Sequence, residues 1–343
     1  MRHLIVPSRE TSNWREKLSQ KNWLSNGNGI HNLGDYRGIP LSQNAPSKID
    51  DLEIREMEPI RPGPQNWTER LDQEIFQSYE KYWPMSHDRI GDLIIVKLPK
   101  QISQFSEEIG NAMLSQYPSA RVICADNGVI GQFRVRDLDI IGTRGDKATK
   151  TKVKENGNEF WTDPALVYYS PRLATERAEN LDVAKNLSER LGRKISVCDP
   201  YAGVGPAVVA LSKMKTIVGD IYANDLNPNA LQFLTTNLPG RKVHSIDARN
   251  LAAIIPECCD MLLVNLPHDS IEHLPDLVGL LRRGHEVVIR GWAILASDDL
   301  HISKETIRQH LSETEILSLE ITPKKSYSAT QEYVSIQAHI IRH

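Results

Sequence analysis

The residues best suited to chemistry gather between positions 176 and 267. The run Val197-Cys198-Asp199-Pro200-Tyr201-Ala202-Gly203-Val204-Gly205-Pro206 reads as a buried strand, a glycine turn and a helix start. Glycines there let a backbone approach a ligand where a Cβ would clash. The helix start offers free N–H groups to a carboxylate. The spacing is Gly-x-Gly with Val208 following, so the dinucleotide fingerprint is incomplete, and no Gly-Lys-Ser/Thr completes a phosphate loop. A plain tight turn in a parallel-sheet protein is the competing reading. Three further loops sharpen the pattern. Asp225 ends the strand region 217–224, one βα unit after the turn, where an acid can accept hydrogen bonds from a ribose diol. Asp247 ends the short strand 243–246, and Met261-Leu262-Leu263-Val264 runs into Asn265-Leu266-Pro267. Polar groups thus stand at four strand C-termini, where open α/β sheets bind ligands.

The elements around these loops follow from periodicity and punctuation. Ser170 and Pro171 suit N-cap and first-turn positions of a helix running to about residue 191, with Leu181, Ala184, Leu187 and Leu191 toward the core. Arg172 and Glu176 form an i,i+4 pair on it, either an exposed ion pair or a group beside the ligand site. Asn227-Pro228 opens another helix. Upstream, residues 1–62 form a small domain with a strand at 4–6 and a helix over 8–25, ending in a Pro- and Gly-rich linker at 59–64. Residues 63–160 form a middle α+β domain. In it, Trp67, Leu71, Ile75, Tyr79 and Tyr82 predict a helix over 66–82, residues 89–98 a strand, 106–117 a helix and 121–125 a strand. Residues 134–142 alternate charged and apolar, a half-exposed strand with Arg134 and Arg136 on one face. Lys147, Lys150, Lys152 and Lys154 are a solvated loop or a contact with nucleic-acid phosphates. Residues 155–158 make a hairpin-like turn. The third domain, 161–343, adds a strand at 286–289, a helix at 304–311, and strands at 316–321 and 333–341 in an antiparallel hairpin.

Composition bounds the class. With 343 residues, 40% hydrophobic and 25% charged, the chain reads as a soluble globular protein of several domains. A net charge of -3 gives no global nucleic-acid signal, so any such surface is local. Cys124, Cys198, Cys258 and Cys259 lack metal spacing, so no metal is expected; unpaired thiols suit a reducing cytoplasm. No apolar run approaches about 18 residues, so neither a signal peptide nor a membrane span is expected.

Three segments, 168–177, 199–206 and Asn265-Leu266-Pro267, resemble the archaeal and eukaryotic tRNA (guanine-37-N1)-methyltransferase family of class I S-adenosylmethionine-dependent enzymes. The wybutosine-synthesis aminocarboxypropyl transferases are close to it. The resemblance is good over 90–267, looser over the C-terminal hairpin and weak over 1–60. It implies a Rossmann-like catalytic domain preceded by small α+β RNA-binding domains. It implies S-adenosylmethionine as cofactor and tRNA as partner: the first domain at the outer corner, the others on the anticodon stem-loop. The cytoplasmic location rests on the unpaired thiols, and a monomer is expected without any residue that decides it.

On that resemblance, Asp225 takes the ribose hydroxyls with Leu226 beside it. Asp247 takes the adenine amino group, with Ala248 adjacent; its alternative is a strand-end cap. Tyr201, Ala202, Gly203 and Val204 line the methionine end, and Asp199 joins the cofactor contacts. Guanine N1 carries a proton, so Glu176 is the candidate base. Arg136 is the candidate cation for charge developing on O6, with Arg134 as fallback. Asn265 contacts the base edge and cofactor, Pro267 stiffens its turn, and Tyr168 stacks or hydrogen-bonds nearby. Arg172 and Arg177 hold phosphate or orient Glu176, and Lys150 and Lys152 contact the RNA. The rivals are aminocarboxypropyl transfer to, or carbon methylation of, a tricyclic wyosine-type base, and a tRNA-binding module without catalysis. Asn265-Leu266-Pro267-His268 in place of Asn/Asp-Pro-Pro-Tyr/Phe disfavours a DNA amino-methyltransferase. Gly291-Trp292 matches nothing assignable.

Overall fold

The computed structural model describes residues 1–60 and 63–343. Contacts divide the chain into two compact units, Met1–Lys81 with Asn111–Pro118, and Tyr82–Gly110 with Ser119–His343. The expected linker at 59–64 lies partly outside the described residues, and the residues of the expected middle domain are shared between the units.

In the first unit, β1 (Arg2–Pro7) pairs with β3 (Tyr36–Pro40) and β4 (Ile54–Glu56), and β2 (His31–Leu33) pairs with β3, all antiparallel. Leu4 and Val6 alternate inward and pack on Leu18 of α1 (Thr11–Gln20) and on Ile39. The helix is shorter than the expected 8–25: a 3-10 turn precedes it, and Asn22, at φ 56°, ends it in the left-handed conformation that stops helices. The expected helix over 66–82 is also broken. A 3-10 turn at Trp67–Arg70 ends in extended Leu71, and Asp72 caps a new short helix, α2 (Gln73–Ser78), by accepting from the amides of Glu74 and Ile75. The local cap wins over the apolar period.

In the second unit, the expected strand over 89–98 is a hairpin of β5 (Asp88–Ile90) and β6 (Leu93–Val96). Gly91 turns the chain at φ 58°, and a Cβ there would meet Thr151 Oγ1 at 2.2 Å, so no side chain fits. After α3 (Ser106–Gln116), β7 (Val122–Ile130) pairs parallel with β6 and antiparallel with β8 (Val135–Thr143). Arg134 lies before β8, in the turn at φ 51°, so it does not share a strand face with Arg136. Half of the lysine run is the expected loop, with Lys147 and Lys150 exposed before β9 (Thr151–Glu155). Lys152 and Lys154 stand on the exposed face of that strand, which pairs with β10 (Asn158–Thr162). Asn156 and Gly157, both at positive φ, close that hairpin as a two-residue turn requires.

The remaining chain builds a seven-stranded sheet in the order β13-β12-β11-β14-β15-β17-β16. Its strands are β11 (Ile195–Asp199), β12 (Val218–Asn224), β13 (Lys242–His244), β14 (Met261–Val264), β15 (Glu286–Ala296), β16 (Thr314–Ser326) and β17 (Gln331–Arg342). All are parallel from β13 to β15; β17 runs antiparallel to both neighbours. The central strands β11 and β14 are buried on both faces because helices cover both. Val197 and Leu263 face a core with α4 (Ala174–Leu191), α5 (Pro206–Ser212) and α6 (Pro228–Asn237). Cys198 and Leu262 face the other, with α7 (Leu251–Ile254), α8 (Ser270–Leu277) and α9 (Leu300–His310). Helix α4 begins after a 3-10 turn at Pro171–Leu173 and ends at Gly192, left-handed at φ 64°. β15 is longer than expected and contains the unassigned Gly291-Trp292. The C-terminal hairpin is as expected, with longer arms. Pro323 is tolerated because β16 is an edge strand with an irregular register there.

Candidate functional site

β11 has β12 on one side and β14 on the other, so the chain leaves the sheet in opposite directions at this point and opens a crevice above the strand ends. A cavity of about 640 Å³ occupies it. The turn after β11 forms its floor. Gly203 (φ 57°) and Gly205 (φ 84°) both need the left-handed region, and a Cβ on Gly203 would reach Tyr168 O at 3.4 Å. Asn224, fully buried at the end of β12, ties three loops together. Its side chain donates to the carbonyls of Pro200 and Ile246 and accepts from the Ile246 amide, each at 3.0 Å. Sequence reasoning passed over it; an Asn closing an otherwise apolar strand was the available signal.

Asp225 accepts from the amides of Gly203 (2.7 Å) and Asn227 (2.9 Å), so it fixes the glycine turn and still has lone pairs facing the cavity. Burial raises its carboxyl, against those two amides. Asp247 caps a 3-10 turn through the Arg249 amide and binds the Arg249 guanidinium at 2.6 Å. Arg249 holds that carboxyl down, at about 2. The cap expected of Asp247 is thus present, and the residue also lines the cavity, with Ala248 and Leu226. Tyr201, Ala202 and Gly203 line the cavity; Val204 is fully buried and packs in the core instead. The Tyr201 hydroxyl meets His273 Nδ1 at 2.7 Å.

Behind the crevice lies a second cavity of about 10 Å³, room for one water at most. Glu176, Asp199, Trp292 and Leu263 line it, and Leu173, Arg177, Asn265 and Tyr333 line both cavities. Glu176 is 7% exposed. It does not pair with Arg172. Its Oε1 meets Lys325 Nζ at 3.3 Å, from β16, while Oε2 has no partner among the described residues. Trp292 Nε1 is the other unpartnered polar atom of this cavity. Asp199 is 2% exposed, has the Tyr201 amide as its one hydrogen-bond donor, and forms no ion pair among the described residues. Burial, with Asp225 nearby, lifts its carboxyl to about 7.

The arginines divide. Arg136 is held by Asp88 (2.7 Å) and Asp126 (2.9 Å) and lines neither cavity. Arg172 binds the same Asp88 at 2.8 Å, which explains why the local pair with Glu176 does not form. Burial works to raise Asp88, but the two guanidiniums outweigh it and hold the carboxyl below its usual range. Arg177 is buried against Glu155 at 2.5 Å; Glu155 also accepts from Tyr169. Arg134 is exposed and lines the large cavity beside Tyr168, which is 50% exposed. Lys150 and Lys152 lie elsewhere, in an open depression with Lys154, Arg89 and Arg121; Lys150 sits over the Trp161 ring and Lys152 pairs with Glu159 at 2.6 Å. Asn265 and Pro267 stand at the crevice rim, with His268 edge-on to Tyr327 from the hairpin tip.

These features fit S-adenosylmethionine. The volume suits a ligand of that size. Asp225 can take a diol, and the glycine turn leaves space for a backbone-close ligand; Asp199 lies buried behind the crevice, in the small cavity.

Residues 151–323 match the family described as the TRM5/TYW2 methyltransferase domain, and residues 67–146 match the TYW2 N-terminal domain. The tRNA (guanine(37)-N(1))-methyltransferase Trm5b of Pyrococcus abyssi is 30% identical over 277 residues, 78% of either chain. Trm5b of Methanocaldococcus jannaschii is 29% identical over 292 residues, 77% of this chain and 79% of that one. The crystal structure of Pyrococcus abyssi Trm5b superposes with a TM-score of 0.70 at 26% identity, covering 99% of both chains. On this domain match and these relatives, the chain belongs to the TRM5/TYW2 methyltransferase family.

Proposed function

We propose that the protein methylates N1 of guanosine 37 in tRNA, next to the anticodon, with S-adenosylmethionine as donor. The observation that carries the reading is Glu176. It is a carboxylate with one oxygen held by Lys325 and the other unpartnered, in a cavity that shares four lining residues with the ligand crevice. The names of the most similar relatives support the same reading.

When bound, S-adenosylmethionine supplies a methyl group on a sulfonium sulfur, which departs with the bonding pair as a neutral thioether. Asp225 would hold its ribose, Asp247 with Ala248 its adenine, and Asp199 its ammonium group. The chain's own work is on the guanine. N1 becomes a nucleophile by losing its proton to Glu176 Oε2, and the charge left behind spreads toward O6. Arg134, exposed at the crevice and without an ion pair among the described residues, is the cation for that charge; Arg136 already has two carboxylates. Asn265 offers a donor and an acceptor to the base edge, and Tyr168 offers a half-exposed ring for stacking. Arg172 and Arg177 act by position: each anchors the start of α4 to a carboxylate, Asp88 or Glu155. Lys150, Lys152 and Lys154 contact RNA phosphates from their open depression.

The match of residues 67–146 to the TYW2 N-terminal domain favours one second reading, aminocarboxypropyl transfer to a wyosine precursor at the same position. Unmodified tRNA transcript and cofactor labelled separately in the methyl and carboxypropyl groups separate the two. Methyl label in 1-methylguanosine at position 37 is the expected result. Carboxypropyl label would move the protein to the second reading, and no transfer of either would refute the first.

A further inference from the structure

The cysteines take no part in the reaction above, and their spacing along the chain shows no metal pattern. The fold nevertheless gathers three of them: the sulfurs of Cys198, Cys258 and Cys259 all lie within 4.8 Å of one another. Cys198 and Cys259 are fully buried, and Cys258 is 6% exposed. Cys198 belongs to β11, while Cys258 and Cys259 lead into β14, the strand hydrogen-bonded beside it. One central strand and the approach to its neighbour therefore fix the spacing of the donors, and the surrounding side chains, among them Leu251 and Leu280, are apolar, with the Leu280 carbonyl accepting from the Cys259 thiol at 3.4 Å.

Charge next to the cluster points the same way. Asp260 follows Cys259 and is fully buried, and it binds both Arg193 (2.8 Å) and Arg282 (3.1 Å), with His285 at 2.8 Å. Of these groups, Arg282 acts on Cys258 and favours its thiolate, while Asp260 opposes the thiolate of Cys259. A neutral thiol gains nothing from a guanidinium, whereas a thiolate–metal centre of negative net charge is stabilised by Arg282 on the Cys258 side.

We propose that Cys198, Cys258 and Cys259 bind one soft monovalent ion, Cu(I), through three sulfurs. Each sulfur exchanges its proton, released to solvent, for a bond to the ion, with no change of oxidation state. Three sulfurs at ~2.3 Å from a common centre stand roughly 4 Å apart, so the cluster needs only a small contraction. Thiolates select soft ions, and three sulfurs around a centre closed to solvent suit trigonal Cu(I), whereas zinc adds a fourth protein ligand or a water; among the described residues the group offers three ligands and its wall is apolar. Cys258, with its trace of exposure, is the entry point.

The test is a titration of the full, reduced, cofactor-free chain with Cu(I) under anaerobic conditions, against a chromophoric Cu(I) chelator. One equivalent per chain should leave the chelator, with thiolate-to-copper charge-transfer absorption in the ultraviolet. Cys198→Ser and Cys258→Ser should each weaken binding by more than ~100-fold, since losing a ligand costs more than losing an outer-shell partner. Cys124→Ser, which alters the buried cysteine of β7, should not. Thermal melts of the metal-free variants establish that they fold. Failure of the wild type to withdraw copper would overturn the proposal. So would folded Cys198→Ser and Cys258→Ser variants that titrate like wild type, or loss of binding in Cys124→Ser. Because no readout involves methyl transfer, the result is independent of the function proposed above.

Discussion

Asp199→Asn should uncouple stability from cofactor binding at one atom's cost. Asp199 is 2% exposed, and burial lifts its carboxyl from the usual 3.8 to about 7. A folded-state value above the unfolded one means folding takes up a proton. Stability is fully present below the unfolded value and is lost as pH rises through the folded one. The shift spans roughly three pH units, and at about 1.4 kcal/mol per unit the loss at alkaline pH is ~4 kcal/mol. Between about pH 5 and pH 8 the part still to be lost is ~2–3 kcal/mol. Asn keeps the shape and the bond from the Tyr201 amide but cannot ionise, so it removes this slope. Its buried amide nitrogen costs about 1–3 kcal/mol if left unpaired, an offset that does not vary with pH. Urea unfolding of the cofactor-free chain at several pH values measures the difference between variant and wild type. That difference should swing by ~2–3 kcal/mol toward the variant from about pH 5 to pH 8. The same variant should lose affinity for S-adenosylmethionine, because an ammonium group then meets a neutral amide. Parallel stability curves for the two proteins would refute the reasoning, whatever happened to binding.

Glu176→Gln keeps the contact with Lys325 but removes the proton acceptor; turnover on unmodified tRNA should fall ~10²–10⁴-fold with tRNA affinity little changed. A variant with wild-type turnover would dismiss Glu176 as the base. Glu155→Ala leaves the buried guanidinium of Arg177 without its carboxylate, so unfolding free energy should drop by about 3–5 kcal/mol, and adding Arg177→Met should restore part of it. A cost under about 1 kcal/mol in denaturant titrations would show that the pair does not anchor α4. Lys150→Ala with Lys152→Ala should reduce the salt slope of tRNA binding by up to about two charges' worth. An unchanged slope would assign both lysines to their present partners, Trp161 and Glu159.

What was legible in the sequence was what the chain decides locally. The glycine turn after β11, the acids at the ends of β12 and β13, and Asn265 after β14 are placed by strand length and turn chemistry, which short windows report. The readings that failed did so where a local rule met a stronger neighbour. Asp72 capped a new helix inside an apolar period, and Gly91 turned a continuous β-rich run into a hairpin. Arg172 illustrates the limit best. Its i,i+4 partner is four residues away, but Asp88, 84 residues away and half-buried, takes it. An exposed helical pair is worth only about 0.3–0.5 kcal/mol, and two charge-assisted hydrogen bonds to one oxygen of a sheltered carboxylate exceed that. Freed from Arg172, Glu176 turns inward to Lys325, 149 residues away, on a strand whose position depends on the whole sheet. The same holds for Trp292, which is unassignable in a list of motifs yet shares the Glu176 cavity once β15 lies beside β14. The proposed cofactor contacts thus sit on consecutive βα turns, while the groups around the proposed base come from the first helix of the domain and its last hairpin. The base is therefore assembled only when the sheet closes. A destabilised C-terminal hairpin should impair proton removal before it impairs cofactor binding.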